Sequence, residues 1–69
     1  MPIGDNILSL CHLEACERQR LALLDLLELS NPRRPLDLEA LDRTEARVLF
    51  ETRRRKRIYQ AMMERAQHH

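Results

Sequence analysis

One break in the middle of the chain limits what it can fold into. Ser30-Asn31-Pro32-Arg33-Arg34-Pro35 places two prolines close together near the centre of a 69-residue sequence. Proline lacks the N–H a helix interior needs and pushes the residue before it towards an extended backbone. Outside this stretch the only other Pro is Pro2 and the only Gly is Gly4, so neither half contains another strong helix breaker. Asp37 suits the N-cap of a second helix, and Asp5 or Asn6 that of a first. The sequence therefore predicts a single domain over residues 1–69. Helix one covers about 6–30, a loop 31–36, and helix two about 37–67, with boundaries set to within about 2–4 residues. A loop this short folds two long helices back antiparallel, as an all-α hairpin.

Composition agrees and adds a demand. Aromatics are 3% of residues and Trp is absent, which argues against a β-sandwich and against stacking platforms for single-stranded nucleic acid. Apolar residues make up 43% and charged residues 33%, with Leu, Glu, Arg and Ala dominant, the make-up of amphipathic helices. Ordering each residue costs about 1.5 kcal/mol, so a chain of this size must offset about 100 kcal/mol with a small core. A second copy or another protein is the expected remedy. Helix one points the same way, being apolar on two faces. One seam runs Leu8, Cys11, Ala15, Ala22, Leu26, Leu29, and a second runs Leu10, Leu13, Leu24, Leu27, with Cys16 and Leu23 between. Glu14, Glu17, Arg18, Asp25 and Glu28 mark the wet side. A helix with two apolar faces has neighbours on two sides. Helix two can cover one of them, so dimerisation into a four-helix bundle through the second seam is expected, or else docking on another helical protein.

Helix two has a narrower apolar face, read as Leu38, Leu41, Val48, Thr52, Tyr59, Met63 and Ala66, widened by Leu49 and Met62 and interrupted by Glu45. On the opposite side Arg43, Arg47, Phe50, Arg54, Arg57, Ala61 and Arg65 follow steps of three and four, which aligns five guanidinium groups and one aromatic ring along one line. Arg53, Arg55 and Lys56 thicken its middle. Arginine suits bidentate contact with phosphate or carboxylate. A solvated face laced by Glu39, Glu51 and Glu64 is the plain alternative, but Phe50 fits it badly. The formal net charge of +1 excludes a globally basic nucleic-acid binder and leaves room for a basic stripe.

With Phe50 flanked by Arg47 and Arg54, the chain resembles in length and outline the Rop-type helical-hairpin dimers, which bind paired RNA loops on a basic helix face containing a Phe. The stripe here lies on the second helix instead of the first. Thr52-Arg53-Arg54-Arg55-Lys56-Arg57 resembles, over those six residues, the arginine-rich RNA-binding helix of the phage lambda N peptide. These resemblances imply RNA binding. The residues themselves favour a small non-enzymatic protein–protein interaction module, an adaptor or regulatory subunit, with RNA or DNA backbone binding as the alternative.

No catalytic constellation stands out. Cys11, His12 and Cys16 form C-H-x-x-x-C, whose thiols point about 140° apart on a helix and cannot readily share a zinc ion. The thiols read as small core residues and His12 as a polar edge residue. No Gly-rich phosphate loop or Ser/His/Asp set is evident, and no metal or cofactor is expected. His68 and His69 are set aside as a possible tag remnant. Two lone cysteines, no basic-then-apolar leader and no apolar run of spanning length lead to the expectation of a cytoplasmic protein with no membrane partner.

Overall fold

A computed structural model describes residues 3–67 of the chain, with side chains from Asn6 onward. Two helices make up the fold: α1, Ile3–Leu29, and α2, Leu38–Gln67. They pack against each other along their length as a hairpin. The result is a rod of 53 × 14 × 13 Å with a radius of gyration of 15.9 Å. Among the described residues, no helix is long and apolar enough to cross a membrane.

The predicted break falls where expected, and its chemistry is visible. The Ser30 amide still donates to the Leu26 carbonyl at 3.0 Å, whereas the Asn31 amide reaches only to Glu28 at 3.2 Å, so the last turn tightens. Asn31 Oδ1 then accepts from the Arg33 amide at 3.0 Å, an Asx-turn that redirects the chain between the two prolines. Asp37 is the N-cap of α2. Its carbonyl accepts from the Leu41 amide at 3.0 Å and its Oδ1 accepts from the Ala40 amide at 3.1 Å. The expected cap at Asp5 or Asn6 is corrected, because α1 begins at Ile3 and both residues lie within its first turns. His68 and His69 lie outside the described residues.

Three contacts fix the antiparallel register. Asp25 meets Arg47, Gln19 meets Thr52, and His12 meets Tyr59, so α2 advances as α1 retreats. The inner face of α1 is Leu8, His12, Ala15, Gln19, Ala22, Leu26 and Leu29, all half-buried or buried in strict steps of four and three. That is the first seam read from the sequence, with Gln19 and His12 filling its gaps. Ala15 and Ala22 are fully buried, and among the described residues no larger apolar side chain is.

The register of α2 differs from the expectation. The line that meets α1 is Leu41, Thr44, Val48, Glu51, Arg55, Ile58 and Met62. Leu41, Val48 and Thr52 are half-buried as expected. Leu38, Leu49, Tyr59 and Met63 are exposed, as is Ala66. The inner face of α1 is built on two small residues, Ala15 and Ala22, which leaves space for long side-chain stems, and the line of α2 that turns inwards contains two, Glu51 and Arg55. Glu51, expected to lace a wet surface, is the most buried side chain of α2 at 7% exposure.

Candidate interaction site

The second seam of α1 is open. Leu10, Leu13, Leu24 and Leu27 are 65%, 65%, 46% and 68% exposed, and Ile7, Leu21 and Leu23 beside them are also exposed. This seam lies roughly 150° around the helix from the inner face, at about 100° per residue. The hairpin therefore satisfies one face of α1 and leaves the other almost opposite it uncovered. Single exposed leucines are ordinary on protein surfaces, but a contiguous apolar strip along one helix marks an interaction surface. The strip is interrupted once, at its centre, where Arg20 donates to Glu17 from Nε at 3.1 Å and from Nη2 at 2.6 Å. This fork-like pairing lowers the Glu17 pKa and raises that of Arg20, with the hydrogen bond as the larger cause in both. Both side chains are exposed.

The arginine stripe of α2 divides in two. Arg47 and Arg54 do not stand on the side away from α1, as the sequence led us to expect. They lie on the shoulder of the helix interface and reach across it. Arg47 Nη1 donates to Asp25 Oδ2 at 2.6 Å, and Arg54 Nη2 donates to Glu14 Oε1 at 3.2 Å. Glu14 also holds Arg18 at 3.1 Å, so one carboxylate serves two cations. These acids are the wet-side residues of α1, and they anchor the hairpin from its flank. The Arg54 side chain is 31% exposed, and its Nη1 is buried without a hydrogen-bond partner, as is Nε of Arg55.

The rest of the stripe faces outwards. Arg43, Phe50, Arg57 and Arg65 are exposed, Phe50 by 63%. Among the described residues Arg43, Arg53, Lys56 and Arg57 take part in none of the ion pairs. Ala46, Leu49, Phe50, Arg53, Arg54 and Arg57 line a shallow open hollow, apolar at its base and cationic at its rim. The structure thus brings Phe50, Arg54 and Arg57 together around one depression, and leaves Arg43 and Arg65 apart from it. Leu49 and Arg53 belong to the same surface. Sequence reasoning assigned Leu49 to the core-facing side, although its spacing of four from Arg53 already placed the two on one face.

Cys16, His12 and Tyr59 lie close together at the edge of the helix interface. Both thiols are free and half-buried, Cys16 Sγ sits 3.8 Å from His12 Nε2, and the His12 and Tyr59 rings pack at 5.7 Å between centroids with a 43° tilt. His12 is thus part of the helix interface. Among the described residues no group of three His, Cys, Asp or Glu side chains is placed to hold a metal ion. Comparison with protein-family models, with curated proteins and with solved structures finds no match to this chain. The outline resemblance to Rop-type hairpins therefore brings no function with it, and the surfaces carry the reading.

Proposed function

We propose that the chain is a small non-enzymatic protein–protein interaction module, an adaptor or regulatory subunit of the cytoplasm. It works through the open face of α1, with the hollow at Phe50 on α2 as a second contact surface. One observation supports this most directly: four leucines at helical spacing stand exposed on a helix whose opposite face is already covered. Helix-in-groove recognition uses this spacing of anchors. The charged rim around Phe50 suits an acidic partner segment, with the ring as its apolar anchor.

The test is a photo-reactive side chain placed at Leu13 or Leu24 of the full chain in living cells, compared with one at Gln60 on the far side of α2. Adducts are expected at the two leucine positions and not at Gln60. An absence of adducts at both leucine positions overturns the reading.

Nucleic-acid backbone binding remains the second reading, and a specific observation favours it: Arg43, Arg53, Lys56 and Arg57 take part in no ion pair among the described residues. With Arg47 and Arg54 already held by Asp25 and Glu14, about four phosphates per chain can be neutralised. Log K against log salt then has a slope near −4 on duplex. Absence of binding to a mixed RNA pool at low salt removes this reading.

A further inference from the structure

The open seam of α1 reads differently when its charged interruption is included. Leu10, Leu13, Glu17, Arg20, Leu24 and Leu27 follow steps of three, four, three, four and three without a gap. Such a line is one continuous stripe of an α-helix packing on another. The stripe is also symmetric in kind about its centre, with two leucines, an acid, a base and two leucines. Laid antiparallel against a copy of itself, Leu10 meets Leu27, Leu13 meets Leu24, and Glu17 meets Arg20, each pair occurring twice. The central charges then become complementary across the two-fold axis. In a parallel pairing Glu17 would face Glu17 and Arg20 would face Arg20, and the like charges would oppose it.

Resting on the interaction-module reading, we propose that the occupant of this face is a second copy of the chain, in antiparallel register centred between Glu17 and Arg20. Three features of the structure support it. Glu17 and Arg20 are exposed, with side chains 53% and 62% accessible, so they are free to exchange partners between copies without any change of backbone. Leu21 and Leu23, 44% and 42% exposed, flank the stripe on either side and widen the contact. The paired faces are almost diametrically opposed on α1, so the assembly is a row in the order α2, α1, α1, α2. A closed square of four helices would need the two contact faces of α1 to lie nearer a right angle.

Charge reversal in the full-length chain tests both the occupant and the orientation. The wild type is expected to sediment at micromolar concentration with twice the 8.2 kDa chain mass. Glu17→Arg alone, or Arg20→Glu alone, opposes like charges twice across the axis and is expected to raise the dimer dissociation constant on the order of tenfold or more. Helicity by circular dichroism should stay unchanged, since within each hairpin neither side chain takes part in the packing of α1 on α2. The double variant Glu17→Arg with Arg20→Glu, and an equimolar mixture of the two single variants, should each recover dimer. Recovery in both shows that the losses are not failures to fold. A wild-type monomer at these concentrations overturns the self-pairing. A dimer indifferent to either single reversal also overturns it, because a parallel pair already has like charges opposed and gains no new repulsion. If the chain is monomeric while a photo-reactive group at Leu24 still captures a different protein, the module reading stands and only the self-pairing falls. If no adduct forms at all, both fall.

Discussion

Glu51 sits at 7% exposure in a hairpin whose fully buried side chains, among the described residues, are two alanines. Its Oε2 is buried with no hydrogen-bond partner. A carboxylate in that position is a cost to stability, offset by burial of its methylene stem between the helices. Replacing it with a well-packed apolar residue removes the cost, so Glu51→Met is expected to stabilise the hairpin by about 1–3 kcal/mol in urea unfolding. The opposite sign is expected at Asp37. Its carboxylate accepts from the Ala40 amide, and Asp37→Ala should cost about 1 kcal/mol by the same measurement. Glu17 has a folded-state pKa below its ordinary value because of Arg20. Its contribution is therefore present at neutral pH and lost as the pH falls through that lowered value. Sedimentation across a pH series should show association weakening only below the ordinary carboxylate range. Glu51 also shows where reading the sequence fails. A charged residue is assigned to water by type, and only the small residues opposite reveal room for its stem.

At the scale of the helices, the inner seam of α1 was legible because Leu8, Ala15, Ala22 and Leu29 repeat every seven residues. The ends were legible too, since proline, Asn31 and Asp37 act locally through the backbone. The register of α2 was not, because its apolar residues are too sparse to choose between neighbouring lines. Leu41 and Val48 fit either one, and the choice falls to α1, a distant segment. Ile58 went unplaced for the same reason, although it belongs to the observed seam. The outer stripe of α1 was half legible. Its four leucines were found, whereas Glu17 was assigned to the wet side by polarity and Arg20 went unplaced. The leucines give the element's own prediction. Leu24→Asp or Leu27→Asp puts an unpaired carboxylate into an apolar contact, which costs several kcal/mol of association. Mass should fall to that of the single chain while helicity by circular dichroism is retained. Unchanged mass would mean that these leucines stay in water.

For the whole molecule, the proposed order α2, α1, α1, α2 with α1 centred on itself predicts a definite shape. In that dimer two hairpins would lie side by side, so the particle would widen without lengthening. Small-angle scattering of the dimer should give a longest dimension near the 53 Å of one hairpin, and end-to-end association would nearly double it. The thin core has a further consequence. With Ala15 and Ala22 as the fully buried apolar side chains among the described residues, a single hairpin has little core to spare, and whatever binds only the closed form adds to its stability by mass action. Proteases act on the open form, so an unpartnered copy is short-lived. Synthesis in excess of the partner therefore does not accumulate. On the proposed reading, the cell's amount of this chain follows the supply of surfaces that cover α1, with no separate signal needed to remove the remainder.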